Sequence, residues 1–101
     1  MRESSKTEIL DQTPKSIKKA ANFLNNDELV SFPTETVYGL GASALSNIAV
    51  GKIFSTKGRP VYNPLIIHIS EAHEVENWAV IPKVAETLIN NFWPGPLTLV
   101  L

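Results

Sequence analysis

The stretch Leu29-Val-Ser-Phe-Pro-Thr-Glu-Thr-Val-Tyr-Gly-Leu-Gly41 decides the fold class, because it joins a short apolar strand to a loop of chemically active side chains. We predict a strand over Leu29 to Phe32, ended by Pro33, which has no N–H to donate to a sheet. Residues 33–41 show little periodicity, and we predict an ordered loop there. Ligands of open α/β sheets bind at the carboxyl ends of strands, so this loop is a candidate binding site. A polar loop that only caps the strand is the alternative.

Helical spacing on both sides of this loop predicts two flanking helices. The first follows Pro14, which suits a first helical turn, and its apolar residues are Ile17, Ala20, Ala21 and Leu24. The second carries four apolar residues, Ala49, Val50, Ile53 and Phe54. Ser46 or Asn47 is the expected N-cap of the second helix, and Gly58 the expected left-handed residue at its end.

The rest of the chain continues this alternation of strands and helices. The apolar run Leu65 to Ile69 predicts a strand buried on both faces. We further predict a short helix capped by Ser70 and running to Trp78, a helix that starts at Pro82, and a turn over residues 93–96. A final strand is expected over Leu97 to Leu101. The pattern predicts an α/β domain, and the unpartnered final strand indicates that it is truncated.

Composition excludes several classes of protein. The chain has 101 residues, a formal charge of −1 and no cysteine. These values favour one domain and exclude disulfides and cysteine-ligated zinc. No window reaches the roughly 18 apolar residues of a membrane span, and the two histidines make no metal signature, so we expect no metal ligands and no membrane partner. We predict a disordered lead over residues 1–13, one domain over residues 14–101, and a cytoplasmic location.

Three polar residues after the second helix could bind a phosphate. Lys57 and Arg59 are two cations two residues apart, brought to one side by Gly58, and guanidinium and ammonium groups both bind phosphate oxygens. A solvated basic helix end is the alternative. Asn63, just before Pro64, is either part of the same site or a turn residue.

Two further features, His68 and residues 39–44, could be functional sites or could have simpler structural roles. His68 lies in an apolar run, where a histidine is more often a core or edge residue than a catalyst. Residues 39–44 match the relaxed dinucleotide fingerprint G-x-G-x-x-A. A loop separates them from the preceding strand, however, and no acidic residue follows about 20 positions later. A nicotinamide-dependent dehydrogenase is therefore excluded.

Four motifs in one order resemble a known family. They are Ser31 to Gly41, Lys57-Gly-Arg-Pro60, Asn63-Pro-Leu-Ile-Ile-His68, and Phe92-Trp-Pro-Gly-Pro-Leu-Thr98. Together they are similar to the YrdC-type threonylcarbamoyl-AMP synthases, and the match covers residues 16–101, the N-terminal half of the YrdC-like domain. The resemblance implies a twisted YrdC-like α/β sheet with flanking helices around a positively lined cavity.

The resemblance also implies an activity and its participants. Members of this family combine L-threonine, bicarbonate and ATP, with Mg²⁺, to give threonylcarbamoyl-AMP and pyrophosphate. Partner tRNA-modification proteins then transfer the threonylcarbamoyl group to certain tRNAs.

Matching positions in this chain then acquire expected roles. Lys57 and Arg59 are the expected catalytic pair and would bind the phosphates of ATP, with Asn63 beside them. Thr36 and His68 would contact L-threonine, and Thr34 and Tyr38 would shape its pocket.

Three other interpretations stay open at this point. The first is an RNA-binding module with a basic patch of Lys15, Lys18, Lys19, Lys52, Lys57 and Arg59. The second is a fragment without synthase activity, because a Ser-x-Asn motif of the family's second half is not present. The third is the carbamoyl-transfer domain of hydrogenase maturation proteins, for which this sequence has no adjoining motif.

Overall fold

In the computed structural model, which describes residues 7–58 and 64–101, the chain divides between Pro64 and Leu65 into two units. The first unit contains α1 (Pro14–Asn25), β1 (Val30–Phe32), β2 (Gly39–Gly41) and α2 (Asn47–Lys57). The second contains a 3₁₀ helix (Ala72–Asn77) and α3 (Lys83–Phe92). This combination of helices with a sheet confirms the predicted α/β class. Over the described residues, the sheet is a two-stranded antiparallel pair of β1 and β2.

The start of α1 is fixed by a cluster of short polar side chains. The Thr13 hydroxyl accepts a hydrogen bond from the Ser16 amide at 3.2 Å and donates one to Asp11 Oδ1 at 2.8 Å. The Ser16 hydroxyl donates to the same carboxylate at 2.5 Å. The bonds from Ser16 and Thr13 stabilise the charged carboxylate and hold the pKa of Asp11 below its ordinary value. The cap therefore satisfies an amide of the first turn, and α1 begins at Pro14 as predicted.

The predicted strand Leu29 to Phe32 is confirmed as β1, but the predicted loop over residues 33–41 is wrong at its end. Gly39–Gly41 forms β2, antiparallel to β1, with Phe32 opposite Gly39. The Phe32 ring lies across both glycines, because a Cβ atom added to Gly39 or Gly41 would lie 3.1 or 2.8 Å from it. Glycines disfavour strands in general, and this one forms because a ring from the facing strand covers its backbone.

Both ends of α2 follow the sequence prediction. The Ser46 hydroxyl accepts a hydrogen bond from the Ala49 amide at 3.0 Å, so Ser46 is the N-cap. Gly58 ends the helix in the left-handed conformation, with φ of 66°, and its amide donates to the Phe54 carbonyl. Ala49 and Ile53, four residues apart on one face, are 0% and 6% exposed and form the core of the first unit.

The second unit is built on α3, whose buried residues are Ala85 and Ile89. The helix predicted after Pro82 is confirmed, with Pro82 as its N-cap. The short helix predicted before it is also present, as the 3₁₀ helix, but Ser70 is not its cap. Glu71 occupies that position in a reciprocal capping box with Glu74, and the Ser70 hydroxyl donates to Glu74 Oε1 at 2.6 Å instead.

Two predicted strands are wrong. Residues 65–69 and 97–101 have no regular secondary structure, and neither run has a ladder partner among the described residues. Ile66 is 63% exposed and Val100 is 99% exposed, so these runs are not buried on both faces. A strand requires hydrogen bonds to a neighbour, and apolar composition alone does not supply one.

The predicted turn at residues 93–96 is confirmed and yields a stability prediction. The Trp93 indole N–H donates to the Leu97 carbonyl at 2.8 Å, and a Cβ atom at Gly95 would lie 2.6 Å from the Phe92 carbonyl oxygen. Gly95→Ala is therefore expected to lower the free energy of unfolding by about 1–3 kcal/mol, the usual cost of overpacking. Urea unfolding followed by circular dichroism measures it.

Gly51→Ala is the matched control. A Cβ atom at Gly51 meets nothing within 4 Å, and the residue lies inside α2, so alanine should stabilise the chain by about 0.4–1 kcal/mol. Equal effects of the two substitutions would contradict the close contact at Gly95.

Candidate functional site

The loop between β1 and β2, residues 33–38, holds most of the candidate binding groups. The Thr34 hydroxyl donates to the Val37 carbonyl and accepts a hydrogen bond from the Thr36 amide at 3.3 Å. The Thr36 and Glu35 side chains are exposed, and Tyr38 is 75% exposed. Thr34 therefore shapes the loop backbone from within, and a hydroxyl, a carboxylate and a phenol face solvent around it.

A cleft of about 1020 Å³ opens in the first unit beside this loop. Its walls come from the N-terminal segment, α1, β1 and α2, and include Ser31, Phe32, Tyr38, Lys52, Ser55 and Thr56. Of the candidate residues in the loop and helix, Tyr38 lines the cleft, whereas Thr34, Thr36 and Lys57 do not. The cleft is large enough for a small-molecule ligand.

Lys57 is the last residue of α2, and its side chain is exposed. A cation at a helix C-terminus interacts favourably with the helix dipole, as the alternative of a solvated basic helix end expects, and phosphate binding by Lys57 stays a prediction. Arg59 and Asn63 lie outside the described residues. The grouping of Lys57, Arg59 and Asn63 around a phosphate therefore stays a prediction.

His68 belongs to the second unit, where it is exposed in the irregular run of residues 65–69. Its exposure argues against a core position and leaves the edge position open. The predicted contact between His68 and L-threonine stays a prediction. Phe92 is 59% exposed at the end of α3, whereas Trp93 is half-buried.

The described acidic and histidine residues are scattered. Among residues 7–58 and 64–101, no three of them approach closely enough to hold a metal ion. His73 Nδ1 lies 3.3 Å from Glu71 Oε2 at the surface, where both side chains are largely exposed. The Ser70 hydroxyl and the Glu71 amide hold the pKa of Glu74 below its ordinary value by hydrogen bonds to the carboxylate. These contacts cap the 3₁₀ helix and build no second site.

Lys52 has a role that the sequence analysis missed. Its ammonium donates to the Asp27 carbonyl at 2.8 Å and lies 3.4 Å from Glu28 Oε1. The predicted basic patch includes Lys52 and Lys19, and Lys19 pairs with Glu8. Both cations therefore have partners within the chain. The acceptor of the Lys52 contact is a backbone carbonyl 25 positions away, so no sequence signal indicated it.

Residues 22–101 match the profile of the family described as Telomere recombination, Sua5/YciO/YrdC. The chain belongs to the Sua5/YciO/YrdC family. This match confirms the resemblance drawn from the four motifs. None of the helices in the described part of this family member is long and apolar enough to cross a membrane.

Relatives in the Sua5/YciO/YrdC family carry an activity in their names. The chain is 59% identical over 86 residues to the threonylcarbamoyl-AMP synthase of Pyrococcus abyssi, covering 84% of this chain and 25% of that protein. It is 49% identical over 96 residues to the threonylcarbamoyl-AMP synthase of Bacillus subtilis, covering 94% of this chain and 28% of that protein. The chain thus spans about a quarter of the length of these relatives.

Solved structures of the family agree with the fold. Pyrococcus abyssi Sua5 complexed with L-threonine superposes with a TM-score of 0.76 at 55% identity, over 81% of this chain and 24% of that one. A second structure, of the H234A/Y235A variant of the same Sua5, gives a TM-score of 0.77. The described architecture is therefore that of a segment of Sua5.

Proposed function

We propose that this chain forms the part of a threonylcarbamoyl-AMP synthase that binds L-threonine beside the phosphates of ATP. The observation that supports it most is the 55% identity and TM-score of 0.76 to a Sua5 complexed with L-threonine. The proposed activity converts L-threonine, bicarbonate and ATP into threonylcarbamoyl-AMP for tRNA modification by partner proteins. We propose the cytoplasm as its compartment, in keeping with a chain that has no cysteine.

The proposed residue roles divide between the loop of residues 33–38, the end of α2 with the residues after it, and the run of residues 65–69 in the second unit. Thr36 and His68 bind L-threonine, and Thr34 and Tyr38 shape the pocket. Lys57, Arg59 and Asn63 bind the phosphates of ATP. The hydrogen bonds of Thr34 to Val37 and Thr36 support its part, since they fix the loop from which Thr36 projects.

These groups suit the chemistry of the reaction. The free amine of threonine forms a bond to the carbon of bicarbonate, a C–O bond of bicarbonate breaks, and water leaves. An oxygen of the resulting carbamate then attacks the α-phosphorus of ATP. The bond from that phosphorus to pyrophosphate then breaks. Cations at the phosphates neutralise charge that develops in this step, and a fixed loop holds the attacking group in place. No protein nucleophile is required.

Magnesium is proposed as part of the substrate, not as a resident metal. Mg²⁺ in nucleotide sites is bound largely by phosphate oxygens and water. The ion would therefore arrive with ATP and neutralise phosphate charge beside Lys57 and Arg59.

Binding of L-threonine by this chain tests the proposal most directly. L-Valine has the same shape but carries a methyl group in place of the hydroxyl. A site built to hydrogen-bond the hydroxyl loses about 1–3 kcal/mol when the partner cannot pair. We expect L-valine to bind about fivefold to 150-fold more weakly than L-threonine, as measured by calorimetry or NMR titration.

Two variants locate that binding. Thr36→Val removes the proposed contact and should weaken L-threonine binding, whereas Thr87→Val, at an exposed position of α3, should not. Equal affinity for L-valine and L-threonine would overturn the threonine site. Release of pyrophosphate from ATP and bicarbonate, dependent on L-threonine, would then establish whether this chain also completes the reaction.

A further inference from the structure

We propose that Lys52 is a positioning residue, which ties α2 to the turn between α1 and β1 and so sets the placement of Lys57 relative to the loop of residues 33–38. The proposal rests on the proposed function, because it concerns the two parts of that site that lie in the first unit. It assigns Lys52 no contact with either substrate.

The turn between α1 and β1 has an unusual backbone. Asp27 adopts a left-handed conformation with φ of 63°, which non-glycine residues rarely take. The Glu28 amide donates to the Phe23 carbonyl at 2.9 Å, and the Asp27 amide donates to the Leu24 carbonyl at 3.3 Å. This is the pattern of a Schellman helix end, where glycine is usual at the left-handed position. Aspartate takes this conformation more readily than most residues, and contacts around the turn help to hold Asp27 in it.

One such contact comes from Lys52, which lies 25 positions further along the chain. Its ammonium lies 2.8 Å from the Asp27 carbonyl oxygen, a short charge-assisted hydrogen bond. The second contact, to Glu28 Oε1, is longer at 3.4 Å, and its two side chains are 42% and 56% exposed. Because exposed ion pairs contribute little, the bond to the carbonyl is the part that fixes the turn.

The hydrogen bond from Lys52 to the Asp27 carbonyl lies, along the chain, close to both parts of the proposed site in the first unit. These parts are Lys57 and the loop of residues 33–38. Towards the C-terminus, Lys57 follows Lys52 by five residues, about 7.5 Å along a helix. On the other side, Asp27 leads through β1 directly into the loop that carries Thr36. The buried residues Ala49 and Ile53 hold α2 in the core by non-directional contacts. Lys52 adds a directional contact, which fixes how α2 sits against the turn that precedes β1.

A distance measurement tests this without any ligand. The chain has no cysteine, so Val37→Cys and Thr56→Cys, both at exposed positions, accept one spin label each. Electron paramagnetic resonance then reports the distance distribution between the loop and the end of α2. Lys52→Met is expected to broaden that distribution, and Lys52→Arg, which keeps a cationic donor, should restore it.

Lys83→Met is the control, because it removes one exposed positive charge from the second unit. It should leave the distribution unchanged. If Lys52→Met does not fold, Lys52→Gln keeps a donor without the charge and should still broaden it. An unchanged distribution in the folded Lys52 variant would overturn the proposal.

Measurements of ligand affinity distinguish a positioning role of Lys52 from a role in stabilising the fold alone. Lys52→Met should change the affinity for L-threonine alone by less than about twofold, since the Thr34 contacts that shape the loop are untouched. Because the two proposed sites adjoin, ATP should improve L-threonine binding by about fivefold to 150-fold, the usual range of coupling between sites, and Lys52→Met should remove most of that improvement. If Lys52→Met lowered the affinity for L-threonine alone as much as it lowered the improvement by ATP, the positioning role would be overturned. A parent chain that binds neither ligand would refute the proposed function, and the spin-label distances would still decide the role of Lys52.

Discussion

Lys57→Ala is expected to weaken ATP binding by about tenfold to 150-fold, measured by calorimetry in the presence of L-threonine and Mg²⁺. That range corresponds to the 1.5–3 kcal/mol typical of hydrogen bonds to charged groups. The side chain is exposed at the last residue of α2. Its removal should therefore lower the free energy of unfolding by less than about 1 kcal/mol, the scale of a helix-dipole interaction.

The ratio of these two effects separates the two interpretations of Lys57. If Lys57 binds phosphate, its removal lowers the affinity for ATP strongly and the free energy of unfolding only slightly. A solvated basic helix end loses a few tenths of a kcal/mol of stability and no affinity. Lys83→Ala removes the same charge from an exposed position at the start of α3 and should leave ATP affinity within about twofold. A similar loss in both variants would show that only net charge matters.

Ile53→Ala is expected to lower the free energy of unfolding by about 2–5 kcal/mol, the range for truncation of a buried isoleucine. Ile53 is 6% exposed and is, with Ala49, the buried part of α2. Small domains have only about 5–15 kcal/mol of stability in total. The first unit should therefore unfold at a markedly lower urea concentration, measured by circular dichroism.

Ile48→Ala is a control within the same helix. Ile48 is 67% exposed, so the same change of side chain should cost no more than about 0.5 kcal/mol. Comparable losses at both positions would mean that α2 does not pack through the face that carries Ile53. They would also remove the support on which the placement of Lys57 depends.

Helices and their caps could be predicted from the sequence because their determinants are local. Pro14, Ser46 and Gly58 each act within one turn of the helix end that they define. β2 was missed for the opposite reason. Its strand geometry depends on the ring of Phe32 in the facing strand, and its two glycines carry no alternating pattern. The runs at residues 65–69 and 97–101 have strand composition, but a ladder also needs a neighbour.

The candidate site likewise has a part that local sequence predicts and a part that depends on long-range contacts. The exposed loop after β1 was predicted, because proline ends a strand and polar side chains then face solvent. The contact between Lys52 and Asp27 could not be predicted. Its acceptor is a backbone carbonyl, which every residue has, and its donor lies 25 positions away. Only the fold of the turn brings the two together, so residue types carry no trace of it.

Because the Phe32 ring packs over Gly39 and Gly41, we expect these three positions to change together during evolution. A larger residue at either glycine meets the ring within about 3 Å, and a smaller residue at position 32 uncovers the glycine backbone to water. Contacting residues are not additive in their effects. Homologues that diverge in this hairpin should therefore change all three positions together or none, and libraries that randomise one alone will be enriched in the parent residue.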